Sequence, residues 1–287
     1  MANETKQYEV LRRASLFLEK HHREPKVAEL LLQHFRGVSR SQFFMDMREP
    51  VPNDIADQFR QAIIKHATTG IPIQHIIGSE EFYGRNFQVN RHTLIPRPET
   101  EELVQQVIQA APVTPVTIVD IGTGSGIIAI TLALELENAT VYATDISEKA
   151  LQTAEKNASN LGAEVTFMQG DFLKPVMEKN IKADIIVSNP PYISAAEKPS
   201  LSDTVKNFDP ELALFADKNG LAAYQKIIAD LPDVTKQNGH IFFEIGHEQG
   251  EAVSNLLRNT FPSCTTEIMQ DINRNDRIIK GSWQKIY

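Results

Sequence analysis

Asp184-Ile185-Ile186-Val187-Ser188-Asn189-Pro190-Pro191-Tyr192 runs from three consecutive β-branched apolar residues into an abrupt prolyl corner. Ile185 to Val187 read as a buried parallel strand, since strands covered on both faces lose the alternation of half-exposed ones. The strand must stop at the corner: each proline lacks an N–H and fixes φ, and Pro190 drives Asn189 into an extended conformation. A rigid turn at the carboxyl end of a strand is where open α/β sheets bind ligands. Three of its groups can face such a crevice: the Asn189 side-chain oxygen, the Pro190 carbonyl and the Tyr192 ring. Two acceptors and an aromatic face suit a planar –NH2 group, whose two N–H bonds the acceptors take while the ring holds the plane. Asn189, Pro190 and Tyr192 are therefore the candidate catalytic residues, and Asn189, Pro190, Pro191 and Tyr192 the candidate substrate contacts.

The surrounding pattern supports this placement. Beyond Pro115, strand-like and helix-like segments alternate, which predicts a mostly parallel sheet. Strands are expected at 117–121, 140–144, 165–169, 185–188 and 240–245, with two later ones at 265–269 and 277–280. Helices are expected between them, for example at 147–161 and 221–231.

The first of these strands ends in Val119-Asp120-Ile121-Gly122-Thr123-Gly124-Ser125-Gly126. Glycines let the backbone turn sharply and approach a ligand, and the helix beginning near Ile127 offers free N–H groups. Asp145 ends the next strand about 20 residues on, where such folds grip ribose hydroxyls. Gly124-Ser125-Gly126-Ile127-Ile128-Ala129 fits the dinucleotide pattern, so a nicotinamide cofactor competes with S-adenosylmethionine. Asp120 favours the latter, because a carboxylate on this turn suits a cationic or amine-bearing ligand and repels a pyrophosphate. Asp171 and Phe172 end the third strand, where an acceptor and an aromatic ring can bracket adenine. The candidate cofactor contacts are Asp120, Gly122, Thr123, Gly124, Ser125, Gly126, Asp145, Asp171, Phe172 and Asn189.

Composition narrows the class further. The 287 residues suffice for two domains, and Lys+Arg 29 against Asp+Glu 37 gives a net charge of -8. That balance speaks against direct nucleic-acid binding, which draws on phosphate neutralisation. Cys264 is the only cysteine, which excludes a disulfide framework and a thiolate metal site, and the histidines form no metal pattern. Neither a signal peptide nor an apolar run of membrane-spanning length is visible. The expectation is a cytoplasmic monomer without a membrane partner or a metal.

Residues 5 to 70 carry helical spacing: Tyr8, Leu11, Ala14 and Leu18, then Val27, Leu30, Leu31 and Phe35 after Pro25, with Gly37 as a stop. A short helix from Ser39 and a longer one capped by Asn53 or Asp54 and closed by Gly70 follow. From Phe82 to Val89, aromatic and β-branched residues around Gly84 predict a hairpin. Pro96 and Pro98 stiffen the connector after it, and Thr100 is placed to cap a helix over 101–110. The expected division is a helical domain 1–75, a hairpin linker 76–97 and an α/β domain 98–287.

With both motifs in hand, the chain resembles the seven-strand, Rossmann-like S-adenosylmethionine-dependent methyltransferases that modify planar amino groups. The Asn-Pro-Pro-Tyr motif is shared with DNA adenine and cytosine amino-methyltransferases, which keeps a nucleic-acid enzyme with a flipped base as the alternative. A narrower resemblance, to the release-factor glutamine methyltransferases, is carried by Pro72 through Gly78, by Phe82, Gly84, Phe87 and Val89, and above all by Leu94-Ile95-Pro96-Arg97-Pro98-Glu99-Thr100-Glu101. Asp209-Pro210, Ala213-Leu214, Asp217, Gly220-Leu221, Glu244-Ile245-Gly246 and Asp276-Arg277 extend it over nearly the whole chain. It implies a helical domain that docks a protein substrate, a class I peptide chain release factor methylated on the glutamine of its Gly-Gly-Gln loop, with S-adenosylhomocysteine as the other product. Phe172 stands where relatives often carry a different aromatic residue. Arg97 and Glu99 are expected to order the domain junction or to line the crevice.

Overall fold

The computed structural model describes residues 5–284. These residues form two compact units. The first comprises the described residues up to Gly78 together with Ser202–Phe208. Its helices are α1 (Gln7–Lys20), α2 (Val27–Arg36), α3 (Arg40–Met45), α4 (Asn53–Thr69) and α5 (Ile73–Ile77). The apolar faces read from the spacing converge: Leu18, Leu31, Leu32, Phe43 and Phe59 are buried against one another. Ser39 caps α3 through the Gln42 N–H, and Gly37 and Gly70 end their helices in the left-handed conformation.

The second unit begins with a hairpin, β1 (Ser79–Phe82) and β2 (Arg85–Gln88). Tyr83 and Gly84 both take positive φ (51° and 70°), the two-residue turn whose twist matches the paired strands. The hairpin expected as part of a linker is packed into this unit. Phe82 and Phe87 are buried with Leu103, Val104 and Val107, and the boundary between units falls at Gly78/Ser79.

The chain continues through α6 (Pro98–Ala110), β3 (Val116–Ile121), α7 (Ile127–Glu135), β4 (Ala139–Asp145), α8 (Glu148–Leu161), β5 (Val165–Gln169), α9 (Lys174–Glu178) and β6 (Ala183–Ser188). It then supplies α10 (Asp203–Phe208) to the first unit, where Thr204 Oγ1 donates to the Gly70 carbonyl at 3.2 Å. It returns with α11 (Glu211–Leu214), α12 (Ala222–Val234), β7 (Thr235–Glu244), α13 (Gly250–Thr260), β8 (Thr265–Gln270) and β9 (Asp276–Gln284). All seven expected strands form one sheet in the order β5-β4-β3-β6-β7-β9-β8, with β9 antiparallel to both neighbours and the others parallel. β7 starts at Thr235 and not near His240, because its polar first half pairs Thr235 with Ala183 and Asn238 with Gln284. Chain order runs outward in one direction through β4 and β5 and in the other through β6 and β7. The reversal lies between β3 and β6, and the crevice outside their carboxyl ends is the expected ligand site.

α6 differs from the sequence expectation in one telling respect. It starts at Pro98 behind Arg97, so Thr100 lies inside its first turn and caps nothing. Its hydroxyl is committed elsewhere.

Candidate active site

A cavity of about 530 Å³ opens at the carboxyl ends of β3, β4, β5 and β6. That is within the range of roughly 300–1,000 Å³ that small-molecule sites occupy. Gly122, Thr123, Gly124, Ser125, Asp145, Asp171, Phe172, Asn189 and Pro191 line it. Asp120, Gly126, Pro190 and Tyr192, also named from the sequence, are not among its lining residues.

The glycine turn is fixed from behind: the N–H groups of Gly122 and Thr123 donate to the Thr144 carbonyl at 2.8 and 3.0 Å. A Cβ built on Gly122 or Gly124 would meet no protein atom within 4 Å, so both positions leave open room along the cavity wall. Gly126 serves packing instead. Its φ is +86°, and a Cβ there would stand 2.7 Å from Ile130 Cδ1 and 3.1 Å from Ala154 Cβ. Gly126→Ala is expected to lower stability by about 1–3 kcal/mol through strain and overpacking, read as a lower denaturation midpoint.

The direct cofactor contact expected of Asp120 is corrected by its position. The side chain is fully buried beneath the turn, and its Oδ2 accepts bonds from Thr123 Oγ1 at 2.6 Å and the Ala129 N–H at 3.2 Å. Strand alternation sends it to the α7 side of the sheet, where it ties turn to helix. Burial pushes its carboxyl up to about 7, against the pull of those two bonds. A raised folded-state value means that the native state holds the proton more tightly, so this group's contribution to stability falls as pH rises from its ordinary value of 3.8 through 7. The thermal midpoint of Asp120→Asn should therefore decline less over that window than that of the parent, and parallel profiles would contradict the assignment.

Asp145 does face the cavity. Its Oδ2 accepts from the Gly124 N–H at 2.9 Å and its Oδ1 from the Ser147 N–H at 2.8 Å. Burial raises its carboxyl, while backbone bonds from Ser147, Gly124 and Ile146 lower it. Three backbone donors on about four lone-pair sites leave the carboxylate one acceptor site for a ligand hydroxyl. Ile146, next in sequence, is an exposed apolar side chain on the cavity wall that the sequence reading passed over. Its signal was available, since an aliphatic residue directly after a strand-end carboxylate offers a flat ring its second face. Opposite, Asp171 pairs with Lys174 at 2.9 Å, and Phe172 holds a positive φ of 50° with Lys226 Nζ 5.7 Å from its ring centre. An open wall at two glycines, a carboxylate with a spare acceptor site and apolar side chains at Ile146 and Phe172 fit the ribose and adenine of S-adenosylmethionine.

The prolyl corner is held by residues from distant segments. Ser188 Oγ donates to the Ile121 carbonyl at 2.7 Å, joining the ends of β6 and β3. Asn189 Nδ2 donates to Glu244 Oε2 at 2.8 Å and to Thr100 Oγ1 at 3.3 Å, and Thr100 Oγ1 donates to the same carboxylate oxygen at 2.7 Å. Tyr192 Oη reaches Glu244 Oε1 at 3.4 Å, and burial pushes its phenol well above its usual range. Gln249 Nε2 donates to the Tyr192 carbonyl at 2.9 Å. Gly220, with φ +81°, passes so close to that carbonyl that a Cβ would collide with it. Arg97 lines the cavity and pairs through Nη2 with buried Asp209 at 2.8 Å. Burial raises the Asp209 carboxyl and Arg97 draws it back.

The comparisons with known proteins supply first the class. Residues 114–285 match the family described as a methyltransferase domain. A methyltransferase from Pyrococcus furiosus shares the fold, with a TM-score of 0.50 at 14% identity over 82% of this chain and 99% of that one. Residues 9–78 match a second family, the PrmC N-terminal domain. The release factor glutamine methyltransferase of Bacillus anthracis is 44% identical over 95% of this chain and 97% of its own length, and that of Bacillus subtilis strain 168 is 44% identical over 95% and 96%. The chain belongs to the release factor glutamine methyltransferases.

Proposed function

We propose that this protein transfers a methyl group from S-adenosylmethionine to the side-chain amide nitrogen of the glutamine in the Gly-Gly-Gln loop of class I peptide chain release factors. The observation that carries the reading is the Asn189 corner within a chain that matches this family from end to end of its two units. Because Nδ2 is spent on Glu244 and Thr100, Oδ1 has no donor among the described residues and is left for a ligand in the cavity that Asn189 lines. The Pro190 carbonyl likewise accepts no bond among the described residues.

An amide nitrogen is a weak nucleophile, its lone pair being delocalised into the carbonyl. Asn189 Oδ1 and the Pro190 carbonyl accept its two N–H bonds, which draws density back to nitrogen and fixes the amide plane. Fixing a reacting group in this way supplies up to about 7–11 kcal/mol at the limit. Tyr192, tethered through its hydroxyl and its carbonyl, backs that plane. S-adenosylmethionine, when bound, would supply an electrophilic methyl on a sulfonium. As the nitrogen–methyl bond forms, the methyl–sulfur bond breaks with its electron pair left on the thioether, and the nitrogen sheds one proton, late, to water. Asp145 and the Gly122–Gly126 turn hold its nucleoside, Asp171 and Phe172 bracket the base, and the helical unit docks the release factor. No helix of the described residues is long and apolar enough to cross a membrane.

Incubation with purified release factor and S-adenosylmethionine, followed by mass spectrometry of the Gly-Gly-Gln peptide, is expected to find one added methyl on the glutamine side chain. Labelled methyl arriving instead on DNA or RNA, with the release factor untouched, overturns the reading.

A further inference from the structure

Glu244 lies at the carboxyl end of β7, buried, and the reaction as described assigns it no contact with substrate. It nevertheless accepts from the Asn189 amide directly and holds the Thr100 hydroxyl that stands beside that amide. An asparagine side chain is nearly symmetric in shape: turned over, it fills the same space while presenting –NH2 where it had presented oxygen. For an amino-group acceptor that inversion is fatal, because two donors would then face each other. Packing alone cannot prevent it.

We infer that Glu244, supported by Thr100, is a positioning residue that locks the orientation of the Asn189 amide so that only its oxygen faces the acceptor nitrogen; this rests on the function proposed above. The oxygen nearest the amide, Oε2, lies 2.8 Å from Asn189 Nδ2, and a carboxylate there can only accept. Its contact with the Thr100 hydroxyl spends that proton on Glu244, so Thr100 Oγ1 turns a lone pair towards Nδ2 at 3.3 Å. Both groups around the amide therefore demand a donor, and an inverted Asn189 would set its oxygen against a carboxylate. Bonds to an ionised acceptor are roughly twice as strong as neutral ones, which makes the preference steep. Burial raises the Glu244 carboxyl, and the Thr100 bond and nearby Arg277 counter it. Arg277, fixed by Asp271 at 3.2 Å and by the Ile245 carbonyl at 3.2 Å, keeps a positive charge on this side of the site. Glu244 is held in turn, since its own carbonyl accepts from Tyr224 Oη at 2.8 Å.

The test is a kinetic cycle on full-length enzyme with release factor as acceptor. Glu244→Met, of similar length but without an acceptor, should lower kcat on the order of tenfold or more while cofactor Kd stays within about twofold. Glu244→Gln keeps one acceptor oxygen and should recover part of the loss. In an Asn189→Ala background, Glu244→Met should change kcat by less than about twofold, because the group it acts through is gone. A role in stability alone would give the full loss again in that background, and that result overturns the lock, as does an unchanged kcat for Glu244→Met. Should Glu244→Met fail to fold, Thr100→Val and Thr100→Ser decide: kcat falls with Val and returns with Ser if the lock holds, and equal kcat for the two overturns it. Parent enzyme inactive on release factor overturns the functional reading and the lock together, whereas active parent with unimpaired variants overturns the lock alone.

Discussion

Asn189→Ala is expected to lower kcat on the order of 10²-fold and to leave the affinity for S-adenosylmethionine near that of the parent. The magnitude is what removal of one preorganised polar contact to a reacting group typically costs. The selectivity comes from geometry. Asn189 is at the β6 end of the cavity, while the groups assigned to the nucleoside stand on the β3, β4 and β5 ends. Truncation removes one of the two oxygens free to hold the acceptor nitrogen, and the Pro190 carbonyl alone cannot define a plane. Single-turnover methylation paired with a calorimetric titration of the cofactor measures both quantities. Equal losses in the two would remove Asn189 from the acceptor side.

The opposite profile is expected of Asp145→Ala: cofactor affinity should drop about 10–100-fold, and kcat at saturating cofactor should change far less. Two effects combine. The ligand loses a charged acceptor, a bond worth about 1.5–3 kcal/mol. The N–H groups of Gly124 and Ser147 also lose the oxygens that orient them, so the glycine turn loosens where the cofactor must rest. Asp145→Asn is the informative companion, because it keeps an acceptor for one of those N–H groups but brings an –NH2 against the other. An unchanged titration for Asp145→Ala would remove this residue from the site.

The contrast between Asp145 and Asp120 shows where sequence reading works and where it stops. Both are carboxylates at the ends of neighbouring strands, and both were expected to meet the ligand. The two side chains share a face of the sheet and differ in depth along it, which depends on where each strand gives way to its turn and on what then covers the strand end. β3 pairs Asp120 with Ala143 and β4 carries Asp145 two residues past Ala143, on the same face; Asp120 is closed over by its own turn and the start of α7, whereas Asp145 reaches the mouth of the cavity. Seven strands, the glycine turn and the prolyl corner were legible because their signals are local: periodicity, chain-breaking prolines and left-handed glycines. The hairpin was legible as a hairpin but not as part of the α/β unit, since only the packing of Phe82 and Phe87 beside Leu103 reveals its allegiance.

Thr100 and Glu244 escaped for the same reason. In sequence, Thr100 is a threonine at the head of a helix, and Glu244 is a carboxylate ending the apolar run Ile241-Phe242-Phe243. Each has an ordinary local explanation. Their shared purpose exists only once the fold brings them within 2.7 Å of each other across 144 residues of chain. Arg97 and Asp209 are a further case: the first stands in the most distinctive run of the sequence, yet its partner lies 112 residues on.

That long separation has a temporal side. A ribosome emits this polypeptide from its amino terminus, and domains begin to fold as they emerge. Asn189 leaves the tunnel 55 residues ahead of Glu244, so for that interval the corner exists without the carboxylate that orients it. The nascent enzyme can complete its glycine turn and seat β6 against β3 before β7 arrives. Competence to modify a translation factor is thus among the last properties the growing chain acquires.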